Sequence, residues 1–437
     1  MAYTYKPSGI SAKQKMGFGS WCLEITSSIN NIINVFATVF LVSHIISINA
    51  DAPIANSLVS ISIYYIALHV LFAITYFLCG YIVDKSNRVW VYRIGCLLKC
   101  VFIISVIFLG EELAQLSVLA GAIYGIAEGT YYSSYNVMKS EVIPRAHADK
   151  YVAINSILHK ITNIVFPILI GFLIDKSTYI VVSFYVLILV AIQIVFTFFI
   201  KSKRPNNSSF SPFKYLKALK GNSEDVKRIK RVYVVSICYG FTSIVSPILT
   251  FLNIYTFKTN VNLGLFTALF AVVSIIALIL IKRFTKPGKR QIPYIIFSVL
   301  SVAVSVLVAV YISKWTYILY NLILTPVTAM VGYASDVQRT VIVKKTGHYD
   351  DIAEHQTVVE SLCYSSARLI SFIALLVLGL TLGLTGFKIL LAIDVLCIPT
   401  LCYFLHKMEK VESNYPLELR VALEESEVVK TENSEVK

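Results

Sequence analysis

Charged side chains are scarce in this chain: they make up 15% of its 437 residues, against 57% that are hydrophobic. A soluble protein of this length needs far more polar surface to cover its core, so an ordinary soluble fold is excluded. The sequence also contains no GxxxxGKS/T phosphate-binding loop and no HExxH zinc motif. Direct use of ATP and a zinc-protease activity are therefore not expected.

Metal ligands are scarce as well. The eight cysteines lie in or at the edges of apolar stretches, and none has metal-ligand spacing with histidine partners. Small buried apolar residues account for them. The sequence therefore predicts no metal site, no cofactor and no catalytic residue. A cleavable signal peptide is not expected either, because the first apolar stretch is too long for the core of one.

Apolar stretches of about 20 residues dominate what is present, and a helix of that length crosses a hydrocarbon core of about 30 Å. Lipid offers no partner to an open sheet edge, and no alternating barrel pattern occurs, so the stretches are predicted to be helices. The expected fold class is an all-α polytopic membrane protein. Twelve spans are predicted, at 18–43, 56–80, 91–110, 113–139, 152–174, 179–200, 232–257, 262–281, 292–312, 316–340, 356–382 and 386–406.

The net charge of +14 reflects topology rather than a nucleic-acid partner. Lysines and arginines are concentrated before span 1 and after spans 2, 4, 6, 8 and 10, whereas the alternate loops carry almost none. This alternation follows the positive-inside rule. It predicts a multi-pass protein of the cell membrane, in contact with the lipid bilayer, with both termini and every basic loop in the cytoplasm.

The chain divides into two halves around a polar, basic segment at residues 201–231. Six predicted spans lie on each side, and short matches at equivalent places, NVMK at 136–139 and DVQR at 336–339, indicate a duplication. We expect a cytoplasmic N-terminal segment at 1–17, helical bundles at 18–200 and 232–406, and a disordered tail at 407–437. We also expect a monomer.

The loop between spans 2 and 3, GYIVDKSNRVWVYR at residues 80–93, is the most distinctive motif. Gly80 allows a neighbouring helix to approach closely, Asp84 offers a carboxylate near a helix end, and Arg88 and Arg93 offer fork-shaped donors. A glycine, an aspartate four residues later and then basic residues resemble the first-half signature of the major facilitator superfamily. The resemblance implies two six-helix bundles related by pseudo-symmetry, and a conformational latch formed by these four residues. The equivalent second-half loop at 282–290 lacks the glycine and the aspartate.

Span 5 partly resembles a signature associated with exporters of the same superfamily, in which proline and glycine bend the helix. Pro167 and Gly171 are present, whereas Phe166 and Ile170 stand where the signature has glycines. Span 4 also lacks the arginine that many proton-coupled exporters carry. The direction of transport is therefore open at this stage.

Polar faces on apolar helices mark the interior of a bundle or a water-filled cavity. Such faces occur on spans 1, 4, 5, 7 and 11, and the resemblance implies that spans 1, 4, 7 and 10 face a central cavity. The candidates for contact with a small-molecule substrate are Asn31, Asn34, Tyr124, Tyr131, Tyr135, His159, Asn163, Thr250, Asn253, Asp336, Glu360 and Arg368.

Glu128 is the first candidate for proton coupling, because it lies near the middle of span 4, where an ionised carboxylate is costly. Its alternative role is a permanent pair with Lys160 or His159 of the next span. Glu24 in span 1 is the second candidate. Arg368, which keeps its charge, is either a partner of a carboxylate (Glu128 or Glu360) or an anchor for an anionic group of the substrate.

The sequence favours a secondary active transporter that opens a central site alternately to each side, coupled to protons or another ion. Export of a lipophilic compound by antiport is narrowly preferred, because of the proline and glycine of span 5 and the tyrosines of span 4. Uptake of a sugar or other polar solute, or lipid flipping, are the alternatives on the same fold. A polytopic membrane enzyme is the remote alternative, because the outward loops are too short to hold a catalytic domain.

Overall fold

The chain is helical throughout the part that the computed structural model describes, namely residues 18–49, 54–85, 87–142, 148–201, 215, 224–245, 260–284, 290–311, 313–345 and 349–413. The helices of the first half are α1 (Phe18–Val35), α2 (Leu41–Ile48), α3 (Ile54–Lys85), α4 (Arg88–Leu109), α5 (Ser117–Val142), α6 (Ala148–Lys176) and α7 (Tyr179–Thr197). Those of the second half are α8 (Glu224–Thr242), α9 (Asn260–Phe284), α10 (Gln291–Val310), α11 (Lys314–Lys345), α12 (Tyr349–Leu382), α13 (Leu384–Leu391) and α14 (Asp394–Ser413). A π-helical segment, Phe36–Phe40, joins α1 to α2, and a 3₁₀-helix, Gly110–Ala114, follows α4.

Ten helical segments among the described residues are long and apolar enough to cross a membrane. The prediction of an all-α, multi-pass membrane protein is therefore confirmed. Two predicted spans are not among the ten. Helix α5 has 26 residues, but its glutamate, hydroxyl groups and glycines lower its mean hydropathy. Helix α8 begins within the basic linker, and its predicted span continues past residue 245, outside the described residues. The count of twelve stays a prediction.

The π-helical segment is stabilised by side chains of α3. The hydroxyl groups of Tyr64 and Tyr65 donate hydrogen bonds to the carbonyl oxygens of Ala37 (3.2 Å) and Thr38 (3.0 Å). Both carbonyls lie inside the π segment, where the regular helical hydrogen-bond pattern is interrupted. The two tyrosines therefore hold the first helix against α3 at its irregular point.

Three glycines at four-residue spacing place α5 against α3. A Cβ atom built at Gly121, Gly125 or Gly129 would lie 2.2–2.8 Å from a backbone carbonyl oxygen of α3. Any side chain at these positions would push the two backbones apart. The close approach turns the adjacent face of α5, which carries Glu128, toward α1 and α4.

Gly125→Ala is expected to destabilise the folded protein by about 1–3 kcal/mol, because the added methyl group overlaps the Leu68 carbonyl in a close-packed contact. Gly332→Ala is the matched control, since its Cβ atom would meet only the Tyr239 hydroxyl, at 3.5 Å. Thermal unfolding of both variants in detergent measures the difference. Equal unfolding midpoints would remove the α3–α5 approach as a determinant of stability.

Helices α3 and α12 form one contact between the two halves. Tyr65 of α3 stacks on Phe372 of α12 with ring centroids 4.4 Å apart, and His69 stacks on the same phenylalanine at 5.4 Å. These rings are buried, so the two halves meet here through a compact aromatic contact. Stacked aromatic pairs contribute about 0.5–1.5 kcal/mol each beyond the area they bury.

Helices α6 and α9 form the second contact between the halves. A Cβ atom on Gly171 would lie 2.4 Å from the carbonyl oxygen of Asn260, and one on Gly264 would lie 2.3 Å from that of Pro167. Asp175 at the end of α6 accepts hydrogen bonds from the Asn260 backbone N–H (3.3 Å) and side-chain amide (3.0 Å), and from the next backbone N–H (2.9 Å). The carboxylate of one half therefore caps a helix of the other. The two residues predicted to bend α6 both lie at this crossing, and Pro167 is inside the helix.

A buried ion pair joins the beginning of α10 to α14. Arg290 Nη1 and Glu409 Oε1 are 3.0 Å apart, with side chains 2% and 1% exposed. The Tyr294 hydroxyl donates to the same carboxylate oxygen at 2.9 Å. Sequence reasoning did not anticipate this pair, which lies within the second half and stabilises its packing.

Candidate transport site

A lysine and a glutamate form a buried ion pair at the centre of the first half. Lys99 Nζ of α4 lies 2.8 Å from Glu128 Oε1 of α5, and their side chains are 0% and 8% exposed. The same ammonium group donates to Asn30 Oδ1 of α1 and lies 3.4 Å from the centroid of the Tyr131 ring. Carboxylate, amide and aromatic face together replace the water that Lys99 gives up on burial.

A chain of hydrogen bonds extends from this pair along α1. The Asn30 amide donates to the Tyr132 hydroxyl at 3.1 Å, and the Asn34 amide donates to the same oxygen at 3.2 Å. The Tyr124 hydroxyl in turn donates to Asn34 Oδ1. Side chains of α1, α4 and α5 thus form one polar network, and a change at the ion pair reaches each member through shared partners.

The partner of Glu128 is Lys99, and not Lys160 or His159 as the sequence alternatives had it. His159 Nε2 of α6 forms a hydrogen bond with the Ser27 hydroxyl, 3.2 Å away. The Ser27 hydroxyl also forms a hydrogen bond with the Tyr135 hydroxyl at 2.8 Å. These contacts connect α1 with α5 and α6.

Two more predicted residues join α1 to α6. The Asn31 amide nitrogen lies 2.6 Å from Asn163 Oδ1, 2.7 Å from Thr162 Oγ1 and 3.3 Å from the His159 carbonyl oxygen. These three acceptors satisfy its donors, so the arrangement fits a contact between helices better than an open substrate position.

Glu24 is a second buried carboxylate of the first half. It is 5% exposed, and neither of its oxygens has a hydrogen-bond partner among the described residues. Lys139 of α5 attracts it electrostatically. Because a buried charge without hydrogen bonds is costly, Glu24 stays a candidate for proton uptake.

The second half contributes Arg368 and two acidic residues. Arg368 Nη2 donates to the Tyr364 hydroxyl, and the guanidinium carbon lies 3.9 Å from the Tyr364 ring centroid. Glu360 accepts a hydrogen bond from Ser236 at 2.9 Å. Asp336 acts electrostatically on His159, across the interface between the halves. The predicted positions Thr250 and Asn253 lie outside the described residues.

The residues of the predicted latch lie at the junction of α3 and α4. Gly80 is buried in α3 and Arg88, 6% exposed, begins α4. Arg93 Nη2 donates to the Thr197 carbonyl oxygen at 3.3 Å, so it binds the end of α7 in its own half. Asp84 belongs to α3, and its side chain lies outside the described part of the chain. The latch stays a prediction.

Lys99 is the functional candidate that sequence reasoning missed. It lies inside the apolar stretch 91–110, where one lysine does not interrupt the hydropathy of a membrane span. An ionisable residue within a membrane span is a signal of a functional site in its own right. The sequence alone therefore marks Lys99 as a candidate, but it does not show that Glu128 is the partner of Lys99.

Helices long enough to span a membrane, with a buried and partly charged network inside the first half, are typical of a multi-pass membrane transport protein. The chain belongs to the Major Facilitator Superfamily, whose profile matches residues 22–351. Uncharacterized protein YqgE of Bacillus subtilis (strain 168) is 29% identical over 153 residues, which cover 34% of this chain and 36% of that protein. An uncharacterized protein in the sodM 3′ region of Geobacillus stearothermophilus is 23% identical over 116 residues, 26% of this chain and 54% of the other. The alignments thus span only part of each relative.

Three solved structures share the fold over most of the chain. The human organic anion transporter MFSD10 (TETRAN) has a TM-score of 0.66 at 14% identity, covering 89% of this chain and 100% of the other. A mutant of the nucleoside transporter NupG has a TM-score of 0.62 at 14% identity, and the match covers 90% of this chain and 100% of the other. A bacterial homologue of the iron transporter ferroportin, in an outward-facing state, has a TM-score of 0.63 at 15% identity. That match covers 90% of this chain and 99% of the other. At these identities the likeness shows the fold, and the cargo is a separate question.

Proposed function

We propose that the protein is a secondary active transporter that moves a small organic solute by alternating access, with the Lys99–Glu128 pair as its proton-coupling element. The observation that carries this proposal is the pair itself: a titratable carboxylate, buried beside a fully buried ammonium group at the centre of a membrane bundle. Export by antiport is the preferred direction. The protein is proposed to act without a cofactor, as a monomer in the cell membrane.

A proton on Glu128 changes the energy of its surroundings. It removes the negative charge beside Lys99, whose remaining partners are the Asn30 amide and the Tyr131 ring. A buried charge that loses its partner costs about 3–5 kcal/mol. Any conformation that gives Lys99 water or another anion is favoured by that amount when Glu128 is protonated, and a coupling ion needs such a difference between states.

The network offers a route from the ion pair to the interface between the halves. Asn30 bonds Lys99 with its oxygen and Tyr132 with its nitrogen. Tyr132 packs against a cluster formed by Tyr76 of α3 and Val358 of α12. Movement of Lys99 away from Asn30 therefore alters a tyrosine that packs against a cluster shared by the two halves.

The α6–α9 crossing supplies an end of the bundle that opens and closes. We infer from the charge pattern that this end faces the outside of the cell, because α6 then runs outward from the basic loop before it. The hydrogen bonds of Asp175 are exposed to solvent, and such bonds contribute about 0.5–1.5 kcal/mol each. Breaking the hydrogen bonds of Asp175 therefore adds only a modest cost to opening this end.

Uptake of a polar solute is the second candidate. The amides of Asn30 and Asn34, with the hydroxyl groups of Tyr124 and Tyr132, offer polar contacts of the kind that a sugar or nucleoside needs. The structural neighbours are an organic anion transporter, a nucleoside transporter and a homologue of an iron transporter, so the fold supports several cargoes. Tyr131 and Tyr135 of α5, whose rings stack with centroids 5.6 Å apart, favour a ring-bearing or lipophilic compound.

The test is solute movement in proteoliposomes with a pH difference imposed in either direction. Benzoate, uridine, glucose and ethidium serve as labelled probes of four solute classes. We expect one class to accumulate against its gradient only while the pH difference lasts, and a protonophore to abolish the accumulation. Equal rates with and without the pH difference for every transported probe would exclude proton coupling.

Asp84→Asn is expected to slow turnover and to change the accessibility of cysteines placed at the two ends of the bundle. The neutral amide would weaken the latch that the family resemblance implies for this position, and so shift the balance between inward-open and outward-open states. Labelling of reporter cysteines from each side of the membrane measures that balance. Identical labelling in the wild type and the variant would reject the latch.

A further inference from the structure

Arg368 lies on the face of α12 that meets the first half. Ser361, Arg368 and Phe372 recur at positions i, i+7 and i+11, which share one face of a helix. Ser361 hydrogen-bonds Tyr76 of α3, and Phe372 stacks on Tyr65 of α3. Arg368 is therefore bracketed by two contacts with α3, one on each side along the helix.

The first half presents polar groups to this guanidinium. Arg368 interacts electrostatically with Tyr65 and His69 of α3 and with Tyr132 of α5. His69 is 4% exposed, and its Nδ1 atom has no hydrogen-bond partner among the described residues. Tyr132 also belongs to the network of the Lys99–Glu128 pair. The region around Arg368 thus combines a cation, an unsatisfied imidazole and the coupling network.

Arg368 has no neutralising carboxylate among the residues that the structure describes. Its Nη2 atom donates a hydrogen bond to the Tyr364 hydroxyl, and its Nε atom has no hydrogen-bond partner within the described ranges. Glu128 is paired with Lys99, and Glu360 is bonded by Ser236. No carboxylate of the described residues lies within ion-pair distance of Arg368. A guanidinium cannot lose its proton to relieve this situation.

Guanidinium groups favour planar anions. Five N–H donors in a fixed fork match two oxygens of a carboxylate or phosphate. Beside Arg368, the Tyr364 ring stacks on Tyr239 with centroids 5.9 Å apart, which provides an aromatic wall next to the cation. A ligand that carries an anionic group on a ring or other apolar body satisfies both features.

We propose that Arg368 binds the anionic group of the transported solute, and that the solute is an organic anion whose apolar part lies against Tyr364 and Tyr239. The proposal rests on the proposed transport function and names its substrate class. Binding of the anion also favours a change in the position of α12, because it neutralises a charge that no carboxylate of the described residues compensates.

The test is equilibrium binding by the purified full chain in nanodiscs of phosphatidylcholine, with no gradient present. Benzoate and phenyl phosphate are the anionic probes, and benzamide is the neutral isostere. We expect both anions to bind and to raise the unfolding temperature, with benzamide at least 10-fold weaker. Arg368→Met should weaken anion binding at least 30-fold. Arg368→Lys, which keeps the charge but loses the fork, should weaken it about 10-fold.

Lys388→Met is the control, because it removes a positive charge that contacts only the Val310 carbonyl oxygen among the described residues. It should bind anions as the wild type does. Adding phosphatidylglycerol to the nanodiscs distinguishes the source of the anion: competition with phenyl phosphate identifies a lipid headgroup, and no competition identifies a free solute. Anion binding that is absent in the wild type, or equal in Arg368→Met, would overturn the proposal.

Binding without a gradient separates this proposal from proton coupling. If anions bind through Arg368 but pH differences drive no transport, the coupling role of Glu128 fails and the anion site stands. If a pH difference drives transport of a neutral probe and no anion binds, the anion site fails and the coupling role of Glu128 stands.

Discussion

Glu128→Gln is expected to abolish solute movement driven by a pH difference, with a loss of at least about 100-fold, the scale of a lost proton-transfer group. Glutamine keeps the length of the side chain but neither binds a transferable proton nor balances the charge of Lys99. Proteoliposomes with a pH difference as the sole driving force measure the effect. Exchange of labelled solute with no pH difference shows whether the binding site survives.

The same replacement is expected to lower the free energy of unfolding by about 3–5 kcal/mol, because it leaves Lys99 buried without its carboxylate. Lys99→Met combined with Glu128→Gln removes both charges, and we expect it to recover most of that stability. Coupling should not recover, because the protonatable group is still absent. This double variant therefore separates loss of coupling from loss of folding.

Glu409→Gln provides the matched control. It removes a carboxylate that is also buried and that pairs with Arg290, but in the second half and away from the network around Asn30. We expect a similar loss of stability and an unchanged dependence on the pH difference. Gradient-driven transport that persists in Glu128→Gln would remove this residue from the coupling role and make Glu24→Gln the next variant to test.

Gly171→Leu is expected to hold the α6–α9 end of the bundle open. The close crossing leaves no room even for a Cβ atom at this position, which would lie 2.4 Å from the Asn260 carbonyl oxygen. A leucine side chain must separate the two helices, and the hydrogen bonds of Asp175 to α9 are then lost. We expect the open state to gain at least about 1.4 kcal/mol, a tenfold change in the equilibrium.

A cysteine at Ser43 reports on this opening, since the Ser43 hydroxyl donates to Asn260 Oδ1 at 2.5 Å and the residue is 3% exposed. In a background without the native cysteines, an impermeant maleimide should label it about tenfold faster in Gly171→Leu. Phe172→Leu is the control, because the neighbouring side chain is 49% exposed on the outside of the bundle. If the leucine variant does not fold, Gly171→Ala replaces it, and we expect this smaller side chain to open the α6–α9 end less. Unchanged labelling in folded variants of both kinds would contradict a gate at this crossing.

Much of the polar network was visible as helical periodicity. Asn34 and Tyr124 were chosen because they lie on polar faces of otherwise apolar helices, and the structure joins them by a hydrogen bond. Glu128 stood out because a charge in mid-span is costly. In each case the segment is helical, so the helical periodicity determines the face of the helix on which each residue lies.

Partners were harder to predict than faces. Glu128 had Lys160 and His159 as sequence alternatives, because they lie on the next helix of the chain, but its partner Lys99 lies on the preceding one. Gly171 was assigned to a bend of its own helix, whereas it also makes room for a helix of the other half. Periodicity says which face a residue occupies, and it says nothing about the helix opposite that face.

The amino-acid sequence by itself determined that this is a helical membrane protein of the transport superfamily, because hydropathy, the placement of basic residues and the loop at 80–93 act over short distances along the chain. Only the tertiary structure decided that Lys99 neutralises Glu128 while Arg368 has no carboxylate beside it among the described residues. Each pairing depends on the rotation and crossing of helices far apart in sequence. Close glycine contacts set those crossings, and they are decided by packing across the whole bundle.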